Sequence, residues 1–218
     1  MSTTDFRKFQ EEFTTFFRNQ DIISTTERNV TTATDTLTST GSADFTLSST
    51  VGVRNIRYVT MAGSTQTIYR DLTPSYVAGT FSFTSAPSSG TEIVVCYDTG
   101  SSDKIYGDLP REDIDRLNYP RLMVKILSAP SKEFALGAGS NITDYMISAQ
   151  MWSTTITRLE TGITTIRNKI INNKKNFYYT PFVSIYNMGS MKEDFGRGDK
   201  IFTRAIDLHA RFVVERVD

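Results

Sequence analysis

Between Asp144 and Asn172 the spacing of apolar residues changes period. Over Tyr145–Trp152 it alternates, placing Tyr145, Ile147, Ala149 and Met151 on one face of a predicted strand. From Ile156 onward the apolar positions Ile156, Leu159, Ile163, Ile166 and Ile170 recur at steps of three and four, the stripe of an amphipathic helix. Ser153, Thr154 or Thr155 can cap its start, because a hydroxyl accepts a bond from an otherwise unpaired backbone N–H. Arg167, Lys169, Lys174 and Lys175 gather where the helix dipole is negative. A strand that feeds directly into such a helix predicts a helix laid back on a sheet.

The same two periods order the rest of the chain. Residues 5–18 predict a first helix with Phe6, Phe9, Phe13, Phe16 and Phe17 on one face and Arg7, Lys8, Glu11 and Glu12 on the other. So apolar a stripe needs a surface to cover, the chain's own sheet or another subunit. Past Asn29 helical periodicity disappears. Short runs at Val30–Leu37, Asp44–Leu47, Val53–Ala62, Thr67–Tyr69, Thr80–Thr84 and Thr91–Asp98, separated by turn residues, predict a small β-sandwich. Thr99–Asp103 is a polar linker leading back out. Pro110 suits the first turn of a short helix over 111–117, and Pro120 ends it. Strands are predicted at Arg121–Leu127, Ser131–Leu136, Pro181–Met188 and Lys200–Val217. Gly137–Asn141 and Gly189–Asp199 are predicted loops, and Asn172–Asn176 a turn. The expected class is α+β: a mixed or antiparallel sheet with packed helices, formed by residues 1–28 and 104–218, carrying an inserted all-β sandwich at 29–103.

Composition narrows the chemistry. The 218 residues hold 24 basic and 24 acidic side chains, so the formal net charge is zero. That argues against a protein whose main task is neutralising nucleic-acid phosphates, and it leaves little self-repulsion to oppose assembly. Frequent Thr, Ser, Phe and Tyr favour strands. No apolar run approaches the roughly 18 residues that cross a bilayer. The start, MSTTDFRKFQEEF, lacks the apolar core of a secretory signal, so folding in the cytosol is expected. With one cysteine, Cys96, and one histidine, His209, neither an intrachain disulfide nor a zinc site can be assembled. Asp98, Asp103 and Asp108 lack the spacing of a calcium loop. Gly137-Ala138-Gly139 precedes a strand and so cannot cradle a phosphate at a helix N-terminus. Asp207 and His209 alternate along one strand and could share a face, but a cross-strand contact is the simpler expectation. No cofactor, metal or catalytic residue is expected.

Two resemblances add to this. The strand Val53–Met61, the link from Asp71 to Tyr76, and the turn from Phe83 to Thr91 before a Val-rich strand ending in Tyr97 resemble the immunoglobulin-like β-domains inserted in tailed-phage structural proteins. Within residues 1–28 and 104–218, the run Tyr119-Pro120-Arg121-Leu122-Met123-Val124, Glu133 followed by Leu136-Gly137, the strand with Trp152, the Ile-striped helix and the closing Phe202–Phe212 together resemble the tail terminator (tail completion) proteins of long-tailed phages. This second resemblance implies a virion neck protein, assembled in the host cytoplasm into a homo-oligomeric ring, typically of six subunits. Such a ring caps the tail tube protein and joins it to the head connector, with DNA only passing through its lumen and no membrane contact. The predicted loops 129–143 and 187–199 are the candidate contacts, through Gly137, Gly139, Lys192, Glu193, Asp194 and Arg197, with Lys200 and Arg204 at the start of the strand that follows. Mixed charge in the second of these suits either a solvated hairpin or a seam, between subunits or with the tube, whose register is set electrostatically. Rival expectations are another neck component, a head-completion protein or adaptor, and a glycan-binding sandwich using Tyr58, Tyr69, Tyr76 and Tyr97.

Overall fold

The structure is a computed structural model that describes residues 3–49, 52–100, 103–107, 119–128, 131–133, 140–174, 177, 182–196 and 199–215. The chain divides into two compact units, Met1–Ile23 with Lys104–Asp218, and Ser24–Asp103. Helix α1 (Thr3–Asn19) belongs to the first unit and α2 (Thr25–Arg28) to the second. The second unit therefore starts a few residues before the composition change at Asn29. Its start is fixed locally by a capping box: Ser24 accepts from the Glu27 N–H while the Glu27 carboxylate accepts from Ser24 N.

The second unit carries two sheets. One has the order β1 (Thr31–Thr38), β7 (Glu92–Thr99), β3 (Val53–Met61), β4 (Ser64–Gln66); the other β2 (Asp44–Thr46), β6 (Thr80–Phe83), β5 (Leu72–Ser75). Their ladders are antiparallel. Between the sheets Phe45, Phe81 and Phe83 meet ring to ring, packed with Ile56, Val59, Leu72, Ile93, Val95 and Tyr97. Alternate residues of β6 and β7 enter this core because successive strand side chains point to opposite faces. The expected strand Thr67–Tyr69 is a turn instead. The Asp71 carboxylate accepts from Thr67 N and Tyr69 N donates to Leu72 O, which coils the segment and leaves Tyr69 at a φ of 71°.

The first unit is built on one seven-stranded sheet. Its spine is β9 (Arg121–Ser128), β11 (Ser140–Ser153), β14 (Asp199–Glu215) and β12 (Phe182–Met188), each antiparallel to the next. The two-residue β8 (Ile105–Tyr106) adds to β9 in parallel, β10 (Ser131–Glu133) pairs with β11, and β13 (Lys192–Gly196) pairs with β14. Helix α3 (Ile156–Asn172) is capped by Thr155, whose hydroxyl accepts from Arg158 N. Leu159, Ile163, Ile166 and Ile170 are buried against Tyr145, Ile147, Ala149 and Met151 of β11 and against Phe202, Ile206, Leu208 and Ala210 of β14. Ile156, expected in the same stripe, is 45% exposed, because it is the first helical residue. Gly162 lets α3 approach β11: a Cβ there would collide with Sδ and Cε of Met151. Phe13 and Phe17 of α1 join the same core, and Phe13 stacks on Phe177 with centroids 4.6 Å apart. The side chains of Phe6 and Phe9 and the expected helix over 111–117 lie outside the described residues.

The expected α+β class is not what forms. Among the described residues strand outweighs helix by more than two to one, with three helices. The chain is mostly β, with antiparallel and mixed sheets. The physical reason is that segments with loop-like composition pair as strands. β13 forms inside the expected loop Gly189–Asp199, and β11 begins at Ser140, inside the expected loop Gly137–Asn141. Each obtains its hydrogen bonds from a neighbouring strand rather than from its own apolar alternation.

Candidate functional site

The interrupted edge formed by β12 and β13 is where the expected interface residues come together. Both strands pair with the same side of β14, from Phe182↔Arg211 to Met188↔Ile206 and again from Lys192↔Thr203 to Gly196↔Asp199. Three residues, 189–191, stand against two of β14, so the edge is broken by an irregularity of the kind that re-aims side chains. There Gly189 N donates to Ala205 O. Arg204 donates from Nε to Gly189 O at 2.8 Å and from Nη1 to both carboxylate oxygens of Glu160 on α3, at 2.8 and 2.6 Å. Arg204 is thus committed to holding strand, break and helix together. An open hollow of about 220 Å³ lies at the break, lined by Gln150, Ser190, Lys192, Thr203 and Ala205 among others.

The other predicted residues within the described stretches lie along the same β13–β14 ladder. Lys192 is exposed at the rim of this hollow. Glu193 pairs with Lys200 across the β13–β14 ladder at 2.8 Å. Both are well exposed, so the pair contributes at most about 1 kcal/mol and acts chiefly on register. Asp194 stands opposite Ile201 in the ladder. Gly137, Gly139 and Arg197 lie outside the described residues.

On the sheet face away from the helices, His209 Nε2 lies 3.3 Å from Asp144 Oδ1, while Arg211 grips the same carboxylate at 2.7 and 3.3 Å. Hydrogen bonding to Asp144, followed by its charge, raises the Arg211 guanidinium above its ordinary value. His209 thus makes the cross-strand contact that was the simpler expectation, and Asp207 does not pair with it but accepts from Ser148 Oγ of β11 at 2.8 Å. A carboxylate already neutralised by arginine is poorly placed to polarise an imidazole, so this cluster reads as an ion-pair brace. Among the described residues no group of three or more His, Cys, Asp or Glu could hold a metal ion, and no helix is long and apolar enough to cross a membrane.

A feature that sequence reasoning missed sits at the base of the second unit. Arg28, fully buried, donates from Nη1 to Asp98 Oδ2 and from Nε to Asp103 Oδ1, each at 3.1 Å. Arg57 Nε reaches Asp98 Oδ1 at 2.7 Å and Thr32 donates to the same oxygen. The chain entering the unit is thereby tied to the chain leaving it. Of the four tyrosines considered for sugar stacking, Tyr97 and Tyr69 are buried and Tyr58 is 44% exposed. Burial raises the Tyr97 phenol above its usual value, and its hydroxyl donates to Asp35. Cys96 is buried within β7.

Comparison with known proteins does not add to this picture: no protein-family model matches the chain, and no curated protein matches it.

Proposed function

We propose that this protein is a structural subunit of the phage head–tail neck, a tail terminator that caps the tail tube as a ring and joins it to the head connector. The observation that supports a role in assembly is the sheet of the first unit. Two helices pack on one face, while among the described residues the outer strands β9 and β12 each have a flank without a strand partner over part of their length. Exposed sheet edges are templates for pairing with another chain. An asymmetric subunit that uses two different edges builds a closed ring when the rotation between copies closes. One end of such a ring stops the tube, the other offers a site to the connector, and the inserted sandwich serves as decoration or as a reinforcing contact.

The test is electron microscopy of virions made without the protein. Tails of unregulated length, unattached to heads, are the expected phenotype. Particles with normal tails joined to heads would refute the assignment. Tails of normal length that fail to join would instead favour a head-completion protein or adaptor.

A further inference from the structure

Among the described residues, both margins of the first unit's sheet are open at the same height. On one side β8 covers only Leu122 and Met123 of β9, and Gln10 Nε2 takes Val124 O at 2.9 Å, so the free edge begins at Lys125. On the other side β12 has β14 on one flank and, among the described residues, no strand on the other. The ladders connect these margins row by row: Ser128, Met146, His209 and Ser184 form one row, and Ile126, Ile147, Leu208 and Ile185 the next. Each margin carries one extra residue near these rows: on β9 Leu127 lies between the two, and on β12 Tyr186 lies one step further along, between Ile185 and Asn187. Both extra residues carry exposed apolar side chains, Leu127 at 53% and Tyr186 at 69%.

From this we infer that the edge Phe182–Met188 of one copy pairs with the edge beginning at Lys125 of the next, bringing Tyr186 against Leu127. The inference rests on the ring-forming function proposed above and specifies its seam. Three features select a second copy as the occupant. Alternating antiparallel neighbours make β9 and β12 run in opposite directions, so adding a copy in the same orientation continues the antiparallel order without reversal. The β8 and Gln10 cover on β9 ends at Val124, the residue level with Met188, so the uncovered residues Lys125–Ser128 all lie level with β12. A chain with no net charge presents no overall repulsion to its copy. A two-fold dimer through β12 alone would leave both β9 edges open, whereas head-to-tail repetition pairs β9 and β12 of every copy within the assembly. The apolar pair at the centre of the seam supplies the buried contact, and the backbone bonds around it supply the register.

Cysteine cross-linking tests this on the full-length chain. Leu127→Cys and Tyr186→Cys copies are treated with a short bis-maleimide separately and as a mixture. The wild-type protein, whose one thiol is the buried Cys96, sets the background. The expected result is a linked dimer in the mixture and none above background in either variant alone. Linking of Tyr186→Cys to itself would indicate a two-fold contact and overturn the inference. An oligomeric protein whose mixture does not link would also overturn it, while leaving the neck function standing. A monomeric wild-type protein would overturn both. Charge variants provide a reading independent of the cysteines. Leu127→Lys and Tyr186→Glu are each expected to lose the oligomer. The double variant, which sets the introduced ammonium against the introduced carboxylate at every junction, is expected to regain it. Failure of the double variant to recover would contradict the seam.

Discussion

Arg28 shows how much one side chain can hold. Its guanidinium is sealed from solvent between Asp98 and Asp103. Two charges withdrawn from water are stabilising only while paired, and removing one partner strands the other in a low dielectric. Arg28→Ala is therefore expected to destabilise the second unit by about 3–5 kcal/mol, the usual cost of breaking a buried ion pair. Arg57→Ala should cost clearly less, because Arg57 is partly exposed and Arg28 still neutralises Asp98. Urea unfolding of the full-length variants measures both; equal losses would show that the buried arginine has no special role. Nothing in the sequence announced this clasp, since Arg28 stands 70 and 75 residues before Asp98 and Asp103 and no local motif joins them. The Thr155 cap, in contrast, was legible, because a hydroxyl directly before an apolar stripe is a local signal.

At the scale of elements, α3 was the most readable, since its apolar stripe recurs with helical spacing along its whole length. Its docking depends on Gly162, which no periodicity singles out. Gly162→Leu is expected to cost about 1–3 kcal/mol by overpacking. The cost should shrink in a Met151→Ala background, where Sδ and Cε are absent. Thermal denaturation of the four chains in this cycle decides it; an unchanged cost would mean that the helix does not approach the sheet at this point. Strand β13 was the least readable. Lys-Glu-Asp-Phe-Gly has no apolar alternation, and it becomes a strand because β14 offers a free edge and Lys200 meets Glu193 across it. The irregularities that expose Leu127 and Tyr186 were equally hidden, because they arise from counting residues across a ladder rather than along a chain.

For the molecule as a whole, local pattern was a sound guide to where strands and helices lie and a poor one to their proportion. Every expected loop that pairs as strand moved the balance, until the two long helices became additions to a mostly β chain. The change at Asn29 and the polar run at 99–103 marked a compositional boundary, but the compact unit spans Ser24–Asp103, because capping and the arginine clasp bind the flanks to it. Assembly is the property on which the functional account depends, and the mass of the purified full-length protein in solution tests it most directly. Native mass spectrometry across a range of concentrations is expected to show one discrete closed assembly with a fixed number of subunits, six if the tail-terminator resemblance holds. A chain that stays monomeric at high concentration, or that grows into open-ended polymers without a preferred size, would contradict the account.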